Sequence, residues 1–160
     1  MNLLEYLESL NLNEANQPTL KDLIDQFDKV FPYSEKDLRV INYHIDGKDS
    51  NDARIIGTVA ASVDTEDPDN PKEYKVLVEL HRDNLETPWM LSMVGKVNCY
   101  CPAFRYNLAY PDAKNNVLGG KIMSYNRIPN KIRNGKQIPS ICKHLYAFLH
   151  YLYNKKVLLG

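Results

Sequence analysis

Apolar residues recur at helical spacing in three stretches of the chain and at strand spacing in four. Leu3, Leu4, Leu7 and Leu10 lie on one side of a short amphipathic helix over residues 3–10, which reads as an arm or docking helix. Leu20, Leu23, Ile24, Phe27, Val30 and Phe31 form a second helical stripe. Thr19 stands at its N-cap, Asp22 three residues on completes a capping box, and Pro32 ends it. A third stripe, Ile141, Leu145, Phe148, Leu149 and Leu152, predicts a helix over residues 140–153, with Pro139-Ser140 as its start signal. Residues 38–45, 54–63 and 73–82 change period. They are rich in β-branched and aromatic residues, and the last sets Tyr74, Val76, Val78 and Leu80 against Lys75, Glu79 and His81. Residues 90–100 predict a fourth strand.

The connections carry their own signals. Residues 64–71, Asp-Thr-Glu-Asp-Pro-Asp-Asn-Pro, form a solvated acidic hairpin loop that lacks the Gly and terminal Glu of a calcium-binding EF-hand. Between Pro102 and Pro139 turn formers dominate, so an irregular connection of about forty residues is expected there, a length that needs tying down at its ends. The fold class read from this pattern is α+β: N-terminal helices, a small antiparallel sheet and a C-terminal helix. Residues 1–33 read as a helical arm and residues 34–160 as a β-rich domain.

Composition narrows the class without choosing a function. At 160 residues, 44% hydrophobic and 25% charged, the chain suits one compact domain with an appendage. No run approaches the roughly 18–20 apolar residues of a membrane span. Residues 1–12 carry Glu5 and Glu8 and no basic residue, wrong for a secretory signal, so use inside a cell, or in something assembled there, is expected. The net charge of zero hides an asymmetry. Up to Gly95 there are 19 Asp and Glu against 9 Lys and Arg, whereas from Lys96 onward 11 Lys and Arg face the single acid Asp112. Such a division suits nucleic-acid contact by the basic half, docking on an acidic neighbour, or mutual neutralisation within one fold.

The chemistry concentrates in four residues. Three cysteines are an odd number, spaced unlike a disulfide framework, and all of them fall in two short motifs, Cys99-Tyr100-Cys101 and Cys142-Lys143-His144. Cysteines two apart on a strand or its bend face one side and can share a metal. In a helix, residues two apart lie about 200° apart, so Cys142 has to sit at the helix N-terminal edge with His144 in the first turn. There the thiolate meets free backbone N–H groups and the positive helix end. Phe104 and Tyr106, with a two-residue repeat of their own, are expected to wall the site. Three thiolates and one imidazole suit a closed structural Zn²⁺ site. Buried free cysteines acting as small apolar residues, and a catalytic cysteine–histidine pair, are the other readings. His44 and His81 stand alone in strands and read as ordinary surface or hydrogen-bonded residues. No Gly-rich phosphate loop, nucleophile elbow or spaced carboxylate pair points to an enzyme.

The order Cys-x-Cys, spacer, Cys-x-His resembles the SWIM zinc finger over residues 97–153. The resemblance implies a β-hairpin and helix around zinc, with Cys99, Cys101, Cys142 and His144 as ligands. More narrowly, Cys-Tyr-Cys-Pro-Ala-Phe-Arg-Tyr at residues 99–106 with Cys-Lys-His-Leu-Tyr at residues 142–146 resembles small zinc proteins of tailed-bacteriophage virions. That implies a structural adaptor of the neck, tail or baseplate region, assembled in the bacterial host cytoplasm and docking on other virion proteins or on copies of itself, with no membrane. The alternative is a SWIM-type nucleic-acid-binding protein that grips phosphates through Lys121, Arg127, Lys131, Arg133 and Lys136, with Tyr125 stacking on a base.

Overall fold

The computed structural model describes residues 17–32, 38–60, 72–120 and 138–160. The helix expected over residues 3–10, the acidic loop at 64–71, the boundary at residue 33, and Tyr125 with the five basic residues Lys121, Arg127, Lys131, Arg133 and Lys136 lie outside these residues.

The first described helix, α1 (Leu20–Val30), forms where the apolar stripe and capping box place it. Thr19 Oγ1 accepts from the Asp22 N–H at 3.1 Å, and the Thr19 N–H donates to Asp22 Oδ2 at 3.0 Å. Two more donors at the helix start find carbonyls outside the helix: Leu20 N–H donates to Met93 O and Lys21 N–H to Leu91 O. Four strands follow, β1 (Arg39–Asp46), β2 (Asp52–Ala60), β3 (Glu73–His81) and β4 (Gly95–Cys99), paired antiparallel in the order β1-β2-β3-β4. Then come α2 (Pro102–Asn107), α3 (Ala109–Lys114) and α4 (Lys143–Asn154). The fold is α+β, as the period changes require.

Alternation along the strands decides which face is covered. Ala53, Ile55, Val59, Val76, Val78, Leu80, Val97 and Cys99 point to one face and are buried. There they join Leu20, Leu23 and Phe27 of α1 and Leu145, Phe148, Leu149 and Leu152 of α4 in one core. The opposite face carries Arg54, Lys75, Glu79, His81 and Lys96. The far edge of β4 is occupied by residues 117–119, through Val97 N–H to Val117 O at 2.8 Å and Gly119 N–H to Val97 O at 3.0 Å. At the other end of the sheet, the nearly buried Arg82 donates to the carbonyls of Lys48, Ser50 and Thr87 and lies 4.2 Å from the centre of the Trp89 ring.

Three expectations are corrected. The strand expected over residues 90–100 shrinks to Gly95–Cys99, because the carbonyls of Leu91 and Met93 serve the start of α1 and Met90 bridges Leu159. The connection expected to be irregular contains α2 and α3. Pro102 follows the N-cap Cys101, and Phe104 and Leu108 bury completely, so packing supplies what six-residue helices lack on their own. Because α2 is helical, Phe104 and Tyr106 do not share a face: Phe104 is buried and Tyr106 is 51% exposed.

Candidate metal centre

Each of the four donors is delivered by a separate local device. Cys99 is the last residue of β4, opposite Val76 of β3, and points into the core face. Cys101, at the bend that follows β4, is the N-cap of α2, and its Sγ accepts from the Phe104 N–H at 3.4 Å. Cys142 is the N-cap of α4 in extended backbone and makes no side-chain capping bond, which leaves its sulfur for the cluster. His144 follows in the first turn of α4, its ring edge-on to Tyr74 at 4.8 Å between centroids. The sequence reading of Cys142 at the helix edge and His144 in its first turn is the observed arrangement.

These devices bring the ligand atoms of Cys99, Cys101, Cys142 and His144 within 4.8 Å of one another. Cys142 Sγ lies 4.0 Å from His144 Nδ1. Donors about 2.0–2.3 Å from one tetrahedral ion stand about 3.5–3.8 Å apart, so the cluster is close to the size one ion needs. All four residues are buried, with exposures of 0–2%. His144 Nε2 is buried without a hydrogen-bond partner among the described residues, as is Asp112 Oδ2.

The electrostatics point the same way. Burial pushes the Cys99 and Cys142 thiols well above the ordinary thiol range. Cys101 is driven far down, because thiols Cys142 and Cys99 donate to its sulfur and His144 adds to the effect. Without a cation, burial disfavours charge on all three adjacent sulfurs at once. A bound cation removes that restriction by stabilising all three thiolates. The four side chains can therefore hold one metal ion, and among the described residues they are the only such group.

One contributor escaped the sequence reading. Asp112, in the first turn of α3, is fully buried, and its Oδ1 accepts from the Ser140 N–H at 2.9 Å while Ser140 Oγ donates to Leu23 O at 3.2 Å. These bonds fix the backbone two residues before Cys142. The only signal was the solitary acid in a basic half. His44 and His81 are exposed and hydrogen-bonded, as expected: His44 Nε2 to Asp46 at 2.7 Å, and His81 to Asp52 at 2.7 Å and Asp83 at 3.0 Å. The Asp52 hydrogen bond, seconded by Asp83, raises the His81 pKa. Comparison with protein-family models, with curated proteins and with solved structures finds no match for this chain, so the functional reading rests on the four donors and the fold that delivers them.

Proposed function

We propose that Cys99, Cys101, Cys142 and His144 hold one structural zinc ion in a SWIM-like Cys₃His centre, in a non-enzymatic adaptor of a tailed-phage virion that docks on neighbouring virion proteins or on copies of itself. The observation that carries this reading is the burial of a complete donor set. Three thiolates and an imidazole fill a tetrahedral zinc, and donors at most 2% exposed leave no position for substrate or water. Zinc there supplies no chemistry beyond charge and cross-linking. Cys99 ties down the end of the sheet, Cys101 the start of α2, and Cys142 with His144 the start of α4. The virion assignment is supported by the likeness of residues 99–106 and 142–146 to such proteins, and the docking role by the opposite charge of the two halves.

Two measurements test it together. Elemental analysis of protein purified under reducing conditions is expected to give one zinc per chain, and Cys101→Ala to lose it. Titration with short duplex DNA at about 150 mM salt, where the Debye length is about 8 Å, is expected to show only feeble binding. Substoichiometric zinc would remove the metal reading. Tight binding lost on charge reversal of Arg127, Lys131 and Arg133 would replace the adaptor by a nucleic-acid-binding protein.

A further inference from the structure

The sheet has one finished edge and one open edge. Residues 117–119 pair with β4, while the outer edge of β1 has no partner strand among the described residues. No residue of β1 is buried, and Ile41 and Tyr43 are 39% and 37% exposed. Edge strands of soluble proteins are usually blunted by Lys or Pro, because their free N–H and C=O groups pair with any strand that arrives. Between Val40 and Ile45 this strand reads Val-Ile-Asn-Tyr-His-Ile, with neither.

We propose that β1 pairs antiparallel with β1 of a second copy about a two-fold axis through Tyr43, joining the two four-stranded sheets into one continuous sheet. The proposal rests on the docking reading above and names the surface and the occupant. What selects a second copy is that one register satisfies every position. The pairing with β2 shifts between Val40 and Asn42, so Val40 and Ile41 together occupy the space of one residue. Val40, Tyr43 and Ile45 lie on the α4 side, opposite Val59, Gly57 and Ile55, with the Tyr43 ring 5.8 Å from that of Tyr151. Arg39, Asn42, His44 and Asp46 lie on the other side. With Tyr43 on the axis, each Tyr43 faces its counterpart, and Val40 with Ile41 faces the second copy's Ile45. Asn42 then faces His44, and Arg39 faces Asp46. Apolar meets apolar on the helix side, polar meets polar on the other, and opposite charges close both ends. A slip of one residue would put Tyr43 against the wrong face, and a slip of two would part Arg39 from Asp46.

The test uses the full zinc-loaded chain in sedimentation equilibrium under reducing conditions. Wild type is expected to show a monomer–dimer equilibrium. Ile41→Lys with Tyr43→Lys should raise the dimer dissociation constant by about a hundredfold or more, since like charges then meet across the pair. Arg39→Asp and Asp46→Arg should each weaken the dimer, and the two together should restore it, an effect that a merely structural role for either residue would not produce. For a gentler readout, Tyr43→Cys should cross-link to its counterpart on mild oxidation, while Asn42→Cys should not. A chain that stays monomeric at about 100 μM, a dimer indifferent to the lysine pair, or an absent charge-swap rescue would each overturn the proposal. A monomer that retains its zinc and still enters particles would overturn this surface alone and leave the docking reading standing.

Discussion

Asp112 is fully buried; among the described residues one carboxylate oxygen accepts from the Ser140 N–H and the other, Oδ2, finds no partner. Burial pushes this carboxyl well above its ordinary value of 3.8, more than the Ser140 hydrogen bond pulls it down. In the unfolded chain the group loses its proton near 3.8, whereas in the folded chain it keeps the proton to higher pH. The unfolded state therefore binds fewer protons in that window, and stability present below 3.8 is lost as pH rises toward the folded value. Asp112→Asn keeps an oxygen for Ser140 and cannot ionise. Its urea midpoint relative to wild type should rise with pH from about 4 to 7, measured with both proteins zinc-loaded so that ligand protonation is common to the two. A difference flat across that range would mean that the folded state does not hold the proton. The contrast with the ligands shows what a sequence discloses at this scale. Cys99, Cys101, Cys142 and His144 were legible because their spacing carries metal chemistry in any fold that brings the two motifs together. Asp112 was not, because its role exists only once α3 has folded and set it against Ser140.

Among elements, α4 packs closely against the sheet. Gly57 of β2 leaves room for Phe148: a Cβ at this position would stand 2.3 Å from Phe148 Cε1, and the ring is fully buried with nowhere to retreat. Gly57→Ala should therefore cost about 1–3 kcal/mol through overpacking. It should appear as a lower urea midpoint at unchanged slope, with Gly120→Ala as a control for positive-φ strain rather than packing. The α1 and α4 stripes and the strand alternation were readable because helix and sheet each impose a period on the residues they bury. The limits of that reading are equally physical. Residues 90–94 are rich enough in apolar side chains to pass for a strand, yet their carbonyls are committed to α1 and their pairing to Leu159. Helices α2 and α3 are too short to display a stripe, and a thiol cap at Cys101 is not a conventional start signal.

For the whole molecule, the two oppositely charged halves do not form two bodies. β3 belongs to the acidic half and β4 to the basic half, and they pair side by side with Glu79 opposite Lys96. The same holds for the metal centre. Cys99, Cys101 and Cys142 belong to the core cluster that contains Leu20, Phe27, Ile55 and Phe148, so the ligands are continuous with the packing of α1 and the sheet. A structural zinc contributes of order 10 kcal/mol in small metal domains, comparable with the entire stability of a domain this size. With no cation in place, burial disfavours charge on the sulfurs at the junction of β4, α2 and α4. The loss should therefore spread through the shared core rather than stop at the last helix. Trp89, the only tryptophan, reports on the opposite end of the sheet, where its indole N–H donates to Lys48 O at 3.0 Å and Arg82 stacks on its ring. On titration with a zinc chelator under reducing conditions, Trp89 fluorescence and helical circular dichroism should change together, with one midpoint. If helical signal is lost while Trp89 keeps its native emission, the centre is a separable module and the continuity of the core across it is not energetic. One coincident transition, reversed by added zinc, is the outcome that a single core with the metal inside it requires.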